Sequence, residues 1–199
     1  MQDTIITTIK ALQPLVDRVP PPSEPFVQLH GVKDWNRVFA FYGTRLPEDF
    51  VQFHRLYGQG YFYSHSHKMS ANLSVFPHAG TNPSGIGNGC GDAIALLHEM
   101  RLLKEKHPKR VPFELYFNPG GLLPWARTTN DTLLCWKVSG TNPDVWPIVA
   151  VRTAKGQYEE HGKGMGRFLA GVISGGIQSE LMPNGFPGNK GVSWERSRI

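Results

Sequence analysis

Cysteine is scarce in this chain: only Cys90 and Cys135 occur in 199 residues. Neither has a second cysteine nearby, which excludes a paired-cysteine zinc site and leaves a single disulfide as the most that oxidation could form. Two reduced, largely buried thiols are the simpler reading. Long apolar runs are missing as well. No stretch approaches the roughly 18 apolar residues of a membrane-spanning helix, and the first residues carry Asp3 where a targeting segment would be basic. The expected location is therefore cytoplasmic, with no membrane partner. Charged residues make up only 19% of the chain, against 22 Gly and 16 Pro, a balance that excludes a coiled coil or a long-helix bundle. No internal repeat occurs.

What the chain does contain is aromatic and apolar: five Trp, six Tyr and eleven Phe, with 40% hydrophobic residues overall. That composition excludes a wholly disordered protein. A compact chain of this size buries about 70% of its extended surface, enough for one substantial core. The formal charge of +5 would favour a polyanion if the cations were grouped. They are mostly scattered. The one basic cluster, Lys104 to Arg110, is interrupted by Glu105 and Pro108, so nucleic-acid binding is not favoured.

Ile5, Ile6, Ile9, Leu12, Leu15 and Val16 recur at helical spacing before Pro20-Pro21-Pro22, which predicts a helix over 4–18, an outer arm laid on the body. Residues 20–25 form a stiff linker. Trp35, Val38, Phe39 and Tyr42 predict a short helix ending at Gly43. Pro47, Glu48 and Asp49 open another over 47–57, with Phe50, Phe53 and Tyr57 on its core face. A strand is expected between Tyr61 and Pro77, an irregular excursion over 78–91, and a helix from a cap at Asp92 to a stop at Pro108. Strands follow at Val111–Phe117, Leu133–Val138 and Trp146–Val151, the last with Pro147 at its start or on an edge, and Leu122–Arg127 reads as a short extended piece. Met165, Phe168, Leu169, Val172 and Ile173 mark a final helix ending at Gly175-Gly176. Strands this close, without crossover helices, pair antiparallel. The expected architecture is one α+β domain, a twisted antiparallel sheet with helices packed mainly on one side.

The residues that could carry chemistry form no catalytic set. Gly85-x-Gly87-x-Gly89-x-Gly91 lacks a leading strand and a following Lys-Ser or Lys-Thr, so it reads as a turned loop and not a phosphate cradle. Gly162 to Gly166 also lacks that fingerprint, and its glycines read as allowing close backbone passage. His65 and His67 would face one way on a strand, as two metal ligands or an acid–base pair could, but no third ligand or partner is singled out among His78, Glu99, Glu114 and His161. No nucleophile elbow occurs, and neither cysteine has an assignable histidine.

Taken in order, Leu46-Pro47-Glu48-Asp49-Phe50 through Tyr57-Gly58-x-Gly60, Pro124-Trp125-Ala126-Arg127-Thr128-Thr129-Asn130-Asp131, Leu134-Cys135-Trp136, Pro143-Asp144-x-Trp146-Pro147-Ile148-Val149 and Phe168-Leu169 resemble the SUKH superfamily. The resemblance spans about 35–175. Bacterial members of that superfamily include immunity proteins of polymorphic toxin systems, and its fungal Smi/Knr-type members regulate cell-wall synthesis. The turn that usually reads Asn-Gly-Asp in the family is Asn130-Asp131 here.

The resemblance implies a non-enzymatic protein-binding module with no cofactor, no catalytic residue and no metal, whose partner is a cognate toxin or another protein. A regulatory or scaffold protein of the same fold is the alternative, followed by a small nuclease or nucleic-acid binder. The helical stripe, the Pro-rich linker and the Gly- and Pro-rich end divide the chain into an N-terminal arm and linker (1–25), one SUKH-like domain (26–176) and a C-terminal tail or loosely docked strap (177–199). Tyr61, Tyr63, Trp125, Arg127 and Asp131 are the candidate partner-binding residues, because aromatic and Arg side chains beside a loop are the usual anchors of an interface.

Overall fold

The computed structural model describes residues 10–25, 35–67, 71–76 and 93–196. The glycine-rich loop at Gly85–Gly91, Cys90, the expected cap at Asp92, His78 and the start of the N-terminal helix lie outside those residues. Helical turns over 10–16 (α1) are followed by α2 (Trp35–Tyr42), α3 (Glu48–Leu56), β1 (Gly60–Ser64), β2 (Asn72–Val75), α4 (Ala93–Lys106), β3 (Leu122–Thr128), β4 (Leu133–Lys137), β5 (Pro147–Arg152), β6 (Gln157–Lys163), α5 (Met165–Ile173) and β7 (Val192–Arg196). The strands make one seven-stranded sheet in the order β6-β5-β4-β3-β2-β1-β7, with every neighbouring pair antiparallel. The fold is thus a mixed α+β one built on a large antiparallel sheet, its helices mainly on one face.

Strand alternation assigns that face. Phe62, Leu73, Val75, Ala126, Leu134 and Trp136 point toward α3 and α5: Phe62 meets Phe53 of α3 at 6.0 Å, and Trp136 meets Phe50 edge-on at 4.8 Å between ring centroids. The stripe read from the sequence, Phe50, Phe53 and Tyr57, is wholly buried. Two carboxylates cap helices from a distance. Asp144 accepts the Glu48 N–H at 2.7 Å at the start of α3, and Asp49 accepts the Gly166 N–H at 3.1 Å at the start of α5. Asp49 is half-buried, and its partial desolvation raises its carboxyl above the ordinary range despite these backbone donors.

The arm is part of this core. Leu12, Leu15 and Val19 are buried, and the Tyr57 hydroxyl donates to the Val19 carbonyl at 2.6 Å. At Gly166 the α1 backbone comes so close that an added Cβ would stand 2.7 Å from the Ala11 carbonyl oxygen. Close passage is therefore what a glycine supplies there, whereas Gly162 faces open space.

Four elements differ from the sequence reading. The single strand expected between Tyr61 and Pro77 is a hairpin of β1 and β2. Val111–Phe117 is no strand: it makes one isolated bridge, Leu115 to Leu122. The carbonyls that a ladder would need are taken by α4, Arg101 donating to Tyr116 at 2.6 Å and Lys104 to Phe113 at 2.7 Å, and the chain turns back at once through Asn118 and Gly121. Residues 157–163, left unassigned, form the edge strand β6. Residues 192–196, read as tail or strap, form β7 at the opposite edge, with the Trp194 indole N–H donating to the Tyr57 carbonyl at 3.1 Å.

Candidate partner-binding surface

The second face of the sheet carries the side chains that alternate away from α3 and α5. A single register row crosses it: Glu195 pairs with Tyr61, Tyr61 with Ser74, Ser74 with Arg127, Arg127 with Leu133, Leu133 with Val151, and Val151 with Tyr158. The next row holds Ser193, Tyr63 and Asn72. Neighbouring strands lie about 4.8 Å apart, so Tyr61 and Arg127, two strands apart, are about 10 Å from one another with only the small Ser74 between them. Tyr61, Tyr63, Ser74 and Asn72 are all half-buried. The two tyrosine rings sit 6.3 Å apart, and Tyr63 is 5.2 Å from the His65 ring.

Arg127 and Asp131 meet at the far side of this face. The Arg127 Nε and Nη2 both donate to Asp131 Oδ1, at 3.2 and 2.7 Å. The geometry comes from the β3–β4 turn. Thr128 and Thr132 close it by main-chain and hydroxyl bonds, and Asp131 adopts a left-handed φ of 63°, which Asp tolerates better than most residues. Asn130, Thr132 and Arg152 all donate to the carbonyl of Leu181, at 3.0, 2.5 and 2.7 Å. The C-terminal segment thus clamps the turn that presents Asp131.

Trp125 is not on this face. The register shifts between Pro124 and Ala126, so Trp125 is the extra residue of a β-bulge. Counting back from Arg127 by twos places Trp125 beside it, but the bulge turns the ring to the helix side, stacked 5.8 Å from Trp136 and edge-on to Phe168. Its side chain is wholly buried and offers a partner no surface. The structure brings together four of the five candidate residues and sends the fifth into the core.

The two histidines diverge. β1 ends at Ser64; His65 bonds the Ser193 hydroxyl at 2.7 Å, while His67 lies against Gly185. Among the described residues no group of three or more His, Cys, Asp or Glu side chains could hold a metal ion, and no helix is long and apolar enough to cross a membrane. Cys135 is buried, and burial drives its thiol far above the ordinary range, so it is no thiolate nucleophile.

Beyond Arg127 the same face is covered by α4. Leu96, Met100 and Leu103 of that helix, with Leu133 of β4, line a cleft of about 360 Å³ whose rim carries Glu99, Arg110, Arg127 and Asp131 and the turn residues Thr153 and Ala154. Sequence reasoning missed Ser74, Ser193, Glu195 and this cleft. Ser74 was legible from its alternation with Leu73 and Val75; the others depend on pairings between distant segments. Comparison with protein-family models, with curated proteins and with solved structures finds no match.

Proposed function

We propose that this chain is a non-enzymatic, cytoplasmic protein-binding module of the SUKH type that neutralises a cognate toxin by forming a stoichiometric complex, with Tyr61, Tyr63, Arg127 and Asp131 at its contact surface. The observation that carries the reading is the register row that sets Tyr61, Ser74 and Arg127 side by side on one half-exposed sheet face. Tyrosine and arginine on rigid strands supply large contact area at small entropic cost, as interface anchors do. A flat face about three strands wide extends readily into the roughly 1,000 Å² of total burial that a stable complex needs. The contact of Ser193 with His65 on this face is a solvent-exposed pair, a surface hydrogen bond.

Co-expression with the toxin encoded beside its gene tests the proposal. The expected result is survival of the host and an equimolar complex by size-exclusion chromatography with light scattering. Continued toxicity with no complex would contradict it.

A further inference from the structure

The cleft under α4 has a chemistry of its own. Its floor is apolar, made by Leu96, Met100, Leu103 and Leu133, and its volume of about 360 Å³ lies at the small end of ligand-holding pockets, room for one or two side chains and not for a large cofactor. Its rim is charged. Arg127 and Arg110 stand against Glu99 and Asp131, and the Asp131 carboxylate is already bonded by Arg127. More cations gather on the Arg110 side. The turn at 153–156, which carries Lys155, packs Gly156 against the Lys109 and Arg110 backbone, where an added Cβ would stand 3.1 Å from the Lys109 carbonyl oxygen. The run from Lys104 to Arg110 holds four cations and one acid, and Lys106, Lys109 and Arg110 are exposed. The rim itself is balanced, two cations against two acids, and the positive surplus lies beside its Arg110 end, in the exposed Lys106, Lys109 and Lys155; an apolar floor with that cationic flank matches a segment that offers a hydrophobic side chain next to carboxylates.

The geometry points to this cleft as the seat of an acidic segment of the partner polypeptide, which inserts one apolar side chain between α4 and β4 while its flanking carboxylates meet Arg110, Arg127, Lys109 and Lys155. The inference rests on the protein-binding reading and deepens it. The flat tyrosine face supplies area, and the cleft supplies the anchor that fixes register. Arg127 is shared by both, so a partner engaging the face is led to the cleft.

The test uses the full chain and a fluorescein-labelled synthetic peptide with one leucine flanked by Asp and Glu residues, followed by fluorescence anisotropy. Two control peptides replace the leucine by serine or the acids by lysine. Two variants probe the cleft: Ala154→Trp, at an exposed turn residue on the rim, plugs it, and Arg110→Glu reverses the rim charge. Both are expected to melt at the wild-type temperature. The acidic leucine peptide should bind, and its affinity should fall at higher salt. The serine peptide, the lysine peptide and either variant should each weaken binding by roughly tenfold or more. Binding that ignores the leucine or survives Ala154→Trp would overturn the proposal.

The same variants, titrated with the toxin, separate the two claims. If Ala154→Trp binds toxin as wild type does while Tyr61→Ala does not, the face stands and the cleft proposal is overturned. If no toxin binds at all but the peptide binds in a plug-sensitive way, the cleft stands and the immunity reading falls.

Discussion

Trp125 and Arg127 show how one residue's position can turn on a single extra residue in a strand. Strict alternation makes them neighbours on one face; the bulge at Pro124–Ala126 separates them, placing Trp125 in the core between Trp136 and Phe168. The residue types that anchor interfaces are also those that fill cores, so composition could not decide between the two places. Trp136 shows the other case, a strand ring that plain alternation places in the core, where it is 1% exposed. Trp136→Ala should cost about 3–5 kcal/mol through lost burial and a cavity, read as a large drop in the urea midpoint; a change near zero would contradict the packing described.

His54 gives a pH-dependent prediction. It is wholly enclosed by Phe50, Phe53 and Trp35, and burial pushes its imidazole down to about 4, only partly offset by the backbone near Phe76 and Gly58. Above the unfolded value of about 6.5 the ring is neutral in both states and its contribution is fully present. As pH falls from there to about 4, the unfolded chain takes up a proton that the folded chain refuses, and stability declines by roughly 3 kcal/mol. Asp49 acts in the opposite sense, because its raised carboxyl holds a proton more readily when folded. The comparison of wild type with His54→Leu isolates the histidine: denaturant midpoints between pH 7 and 4.5 should fall less steeply in the variant. Equal slopes would show that His54 titrates normally.

At the scale of elements, what was legible followed a simple rule: segments with an apolar face or run and a clear stop were found. α3 opens after Pro47 and carries Phe50 and Phe53; α4 stops before Pro108; β4 and β5 are short, nearly continuous apolar runs, buried on both faces and bounded by turns. The two edge strands were not found, for a physical reason. β6 reads Gln-Tyr-Glu-Glu-His-Gly-Lys and is exposed on most of its length, so it has no apolar alternation to betray it. β7 buries only part of its surface and owes its pairing to β1, far away in sequence. Its anchoring predicts a measurable cost. Trp194 packs against Phe53, Tyr57 and Phe62, so Trp194→Ala should cost about 2–3 kcal/mol, lowering Tm by roughly 5–10 °C. Limited proteolysis should leave 177–196 uncut in the wild type; early cleavage there would contradict the docking of this segment.

For the whole molecule, the sheet divides the labour between its faces. One face, under α1, α3 and α5, is filled by aromatic rings; the other gathers tyrosines, small polar residues and the Arg127–Asp131 pair beside the α4 cleft. Of the proposed contact residues, Tyr61, Tyr63, Arg127 and Asp131 were legible by type and by their place near turns. Their assembly was not, since it depends on β2 finding β3 across residues 76–121, which include α4, and on the C-terminal Leu181 carbonyl holding the Asn130–Thr132 turn. The positive net charge fits an acidic partner surface better than a nucleic-acid mimic, which would be anionic.

Titration calorimetry of the toxin into wild-type and Arg127→Ala protein measures the central claim most directly. Arg127 is half-exposed and its ion pair lies at the surface, so the substitution should leave Tm within a few degrees of wild type while weakening binding by roughly tenfold or more at unchanged stoichiometry. A folded Arg127→Ala protein that binds the toxin with wild-type affinity would contradict the placement of the contact surface on this face.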